Sequence, residues 1–311
     1  MTHVRESSGA VVTFGEAMGL ATSSQVGSML HERVLGLSFG GAEANVAIGL
    51  SRLGVPSVWM SRLGDDSLGR LIRREMSAEN VSVIARVDDN APTGFMLKER
   101  LGGDRTNVFF YRAGSAASRM SPEDLDARAV RNAALLHITG IAPALSASAR
   151  ATTERAVHIA KEAGTPISFD LNYRAKLWTR GEAAAVFRSL IPDSEIVFAG
   201  ENEARILFPD VASAADLPRA LVDLGSRRAV IKQGAEGCTA FIDGEILKVP
   251  AVAVKPIDTV GAGDAFVAGF LSQFLGGARP LECLERAVIT GAMACLVAGD
   301  WEGAAFLEEL G

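Results

Sequence analysis

The residues of this sequence with the clearest chemical potential form a glycine turn that ends in an acidic residue. Gly261, Ala262, Gly263 and Asp264 are followed at once by an apolar run over 265–271. Two alternate glycines allow a tight backbone turn, and the helix predicted to begin there adds unpaired N–H groups and a partial positive charge. Such a turn suits a phosphoryl group, and its carboxylate is a candidate base for a hydroxyl that attacks phosphorus.

Two absent patterns narrow the chemistry of this turn. The sequence contains no GxxxxGKS or GxxxxGKT, which excludes a Walker-type NTPase, and Phe266 stands where GxGxxG needs its third glycine. A dinucleotide fingerprint would also follow the first strand instead of lying near the C-terminus. On its own, however, the stretch fits an ordinary glycine turn with an acidic first helical turn equally well.

A second group of small residues precedes a predicted helix near the N-terminus. Gly40 and Gly41 leave room for a ligand to approach the backbone, and Asn45 offers both a hydrogen-bond donor and an acceptor. Taken alone, this group fits an ordinary loop and helix start as well.

Polar residues also follow two predicted buried strands. Asn172 and Arg174 come directly after one strand, where an open parallel sheet has its ligand crevice, and Arg174 could clamp a phosphate or carboxylate. Lys232 ends the other strand, and Gly234 and Gly237 would let a nucleotide lie flat against the backbone. The competing interpretations are a polar loop for the first segment and a hairpin turn for the second.

An aromatic strand in the first half of the chain ends in a basic residue. Phe110 could shape one wall of a pocket, and Arg112 could reach an anionic ligand. A core strand with a solvated arginine explains the same residues.

The spacing of apolar residues predicts the elements that must position these side chains. Strands and helices alternate through most of the chain, which indicates βαβ units and an α/β fold with a largely parallel sheet. Hairpin-like runs around Gly102, Gly103 and Asp104 predict a small antiparallel flap. The predicted strands are 11–16, 58–62, 81–87, 94–100, 107–112, 135–138, 167–170, 196–198 and 229–232, and the predicted helices include 44–53, 68–78 and 147–163.

Composition excludes several classes of protein. The chain of 311 residues is 48% hydrophobic with a net charge of -6, which argues against a nucleic-acid surface as its main partner. It has no apolar run long enough to span a membrane, and residues 1–9 do not form a signal peptide, so we expect a cytoplasmic protein. Three cysteines without CxxC spacing and four scattered histidines indicate no disulfide framework and no tightly held metal.

Together and in this order, the motifs resemble those of the ribokinase-like (PfkB) carbohydrate kinases. The segment 258–264 resembles the C-terminal signature of that family, and 40–45 with 64–69 resembles its N-terminal one. Within the family, the 2-keto-3-deoxygluconate kinases are most similar, through 111–118, 140–146, 170–178 and 299–304.

The resemblance implies a fold and a reaction. The fold is a single ribokinase-like domain over 1–311, a three-layer sandwich with a mostly parallel central sheet and a small β-sheet lid from about 15–38 and 92–114. The reaction is transfer of the γ-phosphoryl group from Mg-ATP to the 6-hydroxyl of 2-keto-3-deoxygluconate or a related sugar acid. It also implies a homodimer through the lid, while a monovalent cation such as K⁺ near Asp258 stays open.

The resemblance also assigns roles to the motif residues. Asp264 is the general base, and the amides of Gly261, Ala262 and Gly263 form the anion hole. The implied sugar site comprises Gly40, Gly41, Asn45, Met96, Phe110, Arg112 and Arg174. The implied nucleotide and Mg²⁺ region comprises Asn172, Glu203, Lys232, Gly234 and Gly237, with no direct metal ligand assigned.

Four positions depart from the pattern of the relatives. Met96 and Phe110 stand where close relatives have tyrosines that contact the substrate, and losing two phenolic hydroxyls leaves the exact sugar open. Gly200 replaces the usual asparagine upstream of Glu203, and Val288 replaces a polar residue near the adenine. The alternatives to a sugar-acid kinase are a ribokinase- or fructokinase-type kinase of a neutral sugar and a non-catalytic sugar or nucleotide sensor.

Overall fold

The computed structural model of the chain describes residues 9–23, 25–31, 34–102 and 105–310, so the N-terminal segment 1–8 lies outside the described residues. The strands are β1 (Val11–Phe14), β2 (Met18–Ser23), β3 (Leu35–Gly40), β4 (Ser57–Gly64), β5 (Ser82–Asp88), β6 (Phe95–Gly102), β7 (Arg105–Tyr111), β8 (Leu135–Thr139), β9 (Ile167–Asp170), β10 (Ile196–Gly200), β11 (Ala229–Lys232), β12 (Cys238–Ile242) and β13 (Glu245–Val249). The helices are α1 (Ala42–Arg52), α2 (Ser67–Ala78), α3 (Ala127–Arg131), α4 (Ala142–Leu145), α5 (Ala147–Ala163), α6 (Arg180–Leu190), α7 (Glu201–Leu207), α8 (Leu217–Asp223), α9 (Ala262–Leu275) and α10 (Pro280–Ala294).

A large central sheet forms the middle layer of the described part of the chain. Its order is β13-β12-β11-β10-β9-β8-β1-β4-β5, and the neighbours from β11 to β5 pair parallel. Only the β11–β12 and β12–β13 pairs at one edge are antiparallel. The expected α/β fold with a mostly parallel sheet is therefore confirmed, and the parallel strands open their carboxyl ends at one edge.

Helices cover both faces of this sheet and bury apolar cores against it. On one face, Val46 of α1 and Phe266 and Phe270 of α9 pack against strand residues such as Phe198. On the other face, helices α5 to α8 pack against strand residues that include Phe169. Because the parallel strands are buried on both sides, they are nearly continuous apolar runs in the sequence.

The lid is a separate sheet with the order β3-β2-β6-β7. It is antiparallel except for the β2–β6 pair, which is parallel. Its own core is small, formed by Met18, Leu20 and Met96 with the partly buried Val108. The turn predicted at 102–104 lies partly outside the described residues.

The two faces of the lid differ in composition. Cross-strand pairing places Met96, Lys98 and Phe110 on one face, because paired residues and residues two apart point the same way. The opposite face carries Leu37 and Phe109, which are 60% and 46% exposed. No helix of the described residues has the length and apolarity to cross a bilayer.

Candidate active site

The motif residues converge at the carboxyl edge of the central sheet. Strands β1, β9, β10 and β11 run parallel and end there, and helices α1 and α9 begin there. In open α/β sheets, this edge is where ligands bind. Segments far apart in the chain therefore surround one crevice.

Asp264 lies in the first turn of α9 and is 8% exposed. Asn45 Nδ2 donates a hydrogen bond to Asp264 Oδ2 over 2.8 Å, which joins two motifs separated by 219 residues. Burial raises the pKa of Asp264 to about 6, and the hydrogen bond from Asn45 opposes that rise. The carboxylate is thus more basic than that of an ordinary aspartate and is mostly ionised at neutral pH.

The turn before Asp264 needs glycine at its first position. Gly261 caps α9 with a φ of 76°, in the left-handed region. A Cβ atom there would lie 1.8 Å from the carbonyl oxygen of Asp300, whereas one at Gly263 would lie 3.5 Å from Lys232 Nζ. The amides of the turn therefore form the beginning of α9, with the Lys232 ammonium close to them.

A lysine–carboxylate pair lies beside this turn. Lys232 Nζ binds Asp170 Oδ2 over 2.6 Å, while Asp170 Oδ1 is buried with no partner among the described residues. Burial lowers the pKa of Lys232, but the charges of Asp170 and Glu203 outweigh it and raise that pKa above the ordinary value. Lys232 is therefore a cation held beside the glycine turn.

Glu203 holds the backbone of two loops at the sheet edge. Its carboxylate accepts N–H bonds from Gly200 over 2.7 Å and from Tyr173 over 3.0 Å. Burial raises the pKa of Glu203, and the charge of Asp170 raises it further. Asn172, in the loop that Glu203 holds, is buried and has a φ of 37°, in the left-handed region that is uncommon for residues other than glycine.

The lid brings its predicted residues to the other side of the crevice. Arg112 Nε donates to Glu16 Oε2 over 2.6 Å, and Glu16 also accepts a hydrogen bond from Ser115. The arginine expected to bind an anion is therefore already paired with a buried carboxylate. Met96 is 5% exposed within the lid core, whereas Phe110 is 41% exposed and forms part of the open wall.

Two carboxyl groups near Asp264, the buried Glu43 and the half-buried Asp300, have no role in the sequence-based assignment. The Asp300 carboxylate packs against Gly40, where a Cβ would lie 2.0 Å from its oxygen, and burial raises the pKa of Asp300 to about 7. Glu43 accepts a hydrogen bond from Thr139 over 2.6 Å, and burial raises its pKa to about 7. Gly41 also has no room for a side chain, because a Cβ would lie 2.2 Å from the carbonyl oxygen of Glu16.

Arg174 is exposed, but its charge lowers the pKa of Asp264 and Glu203, which places it near both. No spacing of residues in the sequence marks Asp300 or Glu43 as a member of the site. Within the ranges that the structure describes, no group of three or more His, Cys, Asp and Glu side chains could hold a metal ion.

A mostly apolar cavity of about 510 Å³ adjoins the glycine turn. Gly234 and Gly237 line it with φ values of 57° and 97° in the turn between β11 and β12, so this segment is both a hairpin turn and a cavity wall. Other lining residues are Lys232, Val252, Val254, Phe266, Val288 and Ala292. A flat apolar group such as a purine base fits such a cavity, with its phosphates toward Lys232.

Comparisons with known proteins identify the family to which the chain belongs. The profile of the pfkB family carbohydrate kinases matches residues 9–304. The chain is 35% identical to 2-dehydro-3-deoxygalactonokinase of Haloferax volcanii, over 93% of this chain and 92% of the relative. It is 33% identical to 2-dehydro-3-deoxygluconokinase of Bacillus subtilis, over 96% and 93% of the two chains.

A solved structure also resembles the whole fold. An uncharacterized sugar kinase from Pyrococcus horikoshii in complex with ATP is 28% identical, with a TM-score of 0.83 over 96% of each chain. The family match, the relatives and the fold cover nearly the whole chain. This chain belongs to the PfkB family of carbohydrate kinases and is a sugar kinase.

Proposed function

We propose that this kinase transfers the γ-phosphoryl group of ATP to the primary 6-hydroxyl of a 2-keto-3-deoxy sugar acid, with Asp264 as general base. The observation that carries the proposal is the hydrogen bond between Asn45 and Asp264. It fixes the candidate base between the small residues of the sugar side and the amides of the phosphate turn.

In the proposed reaction, the sugar hydroxyl attacks the γ-phosphorus and its proton passes to a carboxylate oxygen of Asp264. The bond between the γ-phosphorus and the bridging oxygen breaks, and ADP leaves with the electron pair of that bond. The amides of Gly261, Ala262 and Gly263 would bind the phosphoryl oxygens, where charge is spread in the transition state. Since the transition state is loose, positioning does most of the catalysis and a base with a pKa of about 6 suffices.

The nucleotide side supports ATP with Mg²⁺ as the phosphoryl donor. Lys232 would neutralise phosphate oxygens, and the purine would fill the apolar cavity beyond Gly234 and Gly237. Mg²⁺ is held by one or two carboxylates, water and substrate phosphates, so the free Oδ1 of Asp170 and the carboxylate of Glu203 fit it. When bound, the ion would neutralise charge on the phosphates.

A sugar acid is the substrate class that the lid and the relatives favour. Arg112 would bind the substrate carboxylate from its position beside Phe110, and Arg174 would bridge sugar and phosphate. The two relatives that act on keto-deoxy sugars are at least 33% identical over nearly the whole chain. Met96 and Phe110 would give this site an apolar wall in place of hydrogen bonds.

One observation favours a neutral sugar as the second candidate. Glu16 already neutralises Arg112 through a buried ion pair, so the pair together carries no net charge toward a substrate. A sugar hydroxyl could bridge the two groups where a carboxylate would have to compete with Glu16.

A substrate panel tests the proposal. Purified protein with Mg-ATP is given 2-keto-3-deoxygluconate, its galacto epimer, ribose and fructose, and ADP release is measured for each. We expect the highest kcat/KM for one of the two acids. Higher values for a neutral sugar would favour the second candidate, and sugar binding without turnover on any compound would favour a sensor.

The outer face of the lid supports the proposed homodimer. Leu37, Phe109 and Tyr111 are 60%, 46% and 62% exposed there, and a second copy would cover them. Sedimentation of the protein with Phe109 replaced by aspartate should show a shift from dimer to monomer. A cytoplasmic location, a K⁺ requirement and the lack of a nucleic-acid partner stay predictions.

A further inference from the structure

Lys98 is a buried lysine in the lid sheet, where the sequence does not indicate a buried charge. It lies in strand β6 of the lid, is 2% exposed, and its Nζ binds Asp258 Oδ2. Asp258 lies three residues before Gly261, the first residue of the phosphate turn, and 160 residues from Lys98 in the chain. Burying an ammonium group is costly unless a carboxylate pairs with it, so this contact links the positions of lid and turn.

The partner of Lys98 also organises the backbone on both sides of Gly261. Asp258 Oδ1 accepts the N–H of Val260 over 3.2 Å, and Asp258 Oδ2 accepts the N–H of Gly299 over 3.3 Å. One bond fixes the turn, and the other fixes the segment whose Asp300 carbonyl packs against Gly261. The Lys98 ammonium therefore reaches, through one carboxylate, both segments that shape the amides before Asp264.

A second contact joins the same face of the lid to the segment that contains Gly299 and Asp300. Ser38 of β3 donates a hydrogen bond to Glu302 Oε1, while Glu302 Oε2 accepts the N–H of Asp300 over 2.9 Å. Ser38 and Lys98 lie on the face of the lid that also carries Met96 and Phe110. The lid face that would cover the sugar thus makes two contacts near the phosphate turn. Lys98 binds Asp258 before the turn, and Ser38 binds Glu302, which holds the Asp300 segment beside it.

Charge explains why an ammonium group is needed at this position. Asp258, Asp300 and Glu302 are neighbouring carboxyl groups. Burial raises the pKa of Asp300, the Lys98 charge opposes that rise, and the nearby carboxylates add to it. Without Lys98, this negative charge would lie unopposed beside the turn where phosphoryl charge must be stabilised.

We propose that Lys98 is a positioning residue that couples seating of the lid over the sugar to formation of the anion hole. This inference rests on the proposed role of the turn amides in phosphoryl transfer. The lid supplies the cation that Asp258 needs, so the turn takes its reactive shape only when β6 is in place.

Replacement of Lys98 tests the coupling. Lys98→Met keeps the length and apolar stem, and it should lower kcat about 100-fold while changing the KM for ATP by less than about threefold. Lys161→Met is the matched control, because Lys161 pairs with Asp193 over 2.7 Å at an exposed site, and it should behave as the wild type. A Lys98→Met enzyme with kcat near the wild-type value would overturn the proposal.

Chemical rescue separates this role from a general loss of folding. In Lys98→Ala, ethylammonium should restore part of the lost kcat, since the truncated side chain leaves space for a small cation beside Asp258. It should not rescue Lys98→Met, whose side chain fills that space. Failure of rescue in a Lys98→Ala enzyme with a wild-type melting temperature would contradict the inference.

Hydrogen exchange keeps the test independent of the substrate assignment. Amides over 260–264 should exchange faster in Lys98→Met than in the wild type, without any sugar present. If the wild type phosphorylates no sugar in the panel but this difference is seen, the proposed function fails and the coupling stands. Equal exchange in the two proteins would remove the coupling, whatever the substrate.

Discussion

The two ends of the crevice, for which we propose phosphate and sugar binding, are built in different ways. At the phosphate end, backbone geometry dominates: the φ of Gly261, the start of α9 and a carboxylate held by Asn45. At the sugar end, side-chain pairs dominate, and Arg112 is held by Glu16 under a lid with only a small core. The chemistry therefore depends on a rigid scaffold, while substrate choice depends on contacts that single substitutions can rearrange.

The largest expected effect is at the base. Asp264→Asn removes the proton acceptor but keeps the hydrogen-bonding shape, so kcat should fall about 1,000-fold. The affinity for ATP, measured by calorimetry, should stay nearly unchanged. Turnover close to the wild-type rate would exclude Asp264 as the base.

Next in size is the effect of a methyl group at Gly261. The new Cβ would collide with the Asp300 carbonyl, so Gly261→Ala should lower kcat about 100-fold through a misplaced turn. Gly277→Ala is the matched control, because Gly277 has the same φ of 76° with open space around it. We expect it to cost roughly 1 kcal/mol of stability without changing kcat. Equal kinetic effects of both changes would mean that strain, not the shape of the turn, matters.

A smaller and selective effect is expected at Arg112. Arg112→Ala should raise the KM about tenfold for a keto-deoxy acid and hardly at all for a neutral sugar. Lys176→Ala is the control, since Lys176 also packs on the Phe110 ring but is exposed. The same rise in KM for both substrate classes would remove the argument for an acid substrate.

The smallest expected effect is in the pH profile. Asp264 must be ionised to accept a proton, so kcat should rise with pH through about 6 and level off above it. Asn45→Ala removes a hydrogen bond that stabilises the ionised form, so the acidic limb should move to higher pH. A limb that stays in place or moves to lower pH would show that another group controls it.

The sequence predicts the phosphate end better than the sugar end for a physical reason. A glycine turn before a helix is a local pattern, and the turn at Gly261 lies where that pattern places it. The alternation of strands and helices likewise predicts the central sheet, whose strands β9 and β11 have the expected bounds.

The residues that the sequence does not reveal take part in long-range pairs. Lys98 is one charged residue in a strand, and nothing near it in the chain indicates Asp258 as its partner. The sequence predicts Arg112 as a substrate-binding residue, but its ion pair with Glu16 depends on how the lid packs. Asp300 belongs to a tail that resembles the family, yet only its packing on Gly40 places it beside the proposed sugar site.

The bond between Asn45 and Asp264 also has a consequence for synthesis of the protein. Its two ends are 219 residues apart, so the entire segment from Asn45 to Asp264 must leave the ribosome before the crevice can close. Strand β1 pairs with both β4 and β8, so one of its two pairings forms only after β8 has been synthesised. Folding that depends on such distant contacts is slow, and α1 exposes its apolar face until α9 arrives. A nascent chain interrupted before α9 would thus be both inactive and prone to aggregate.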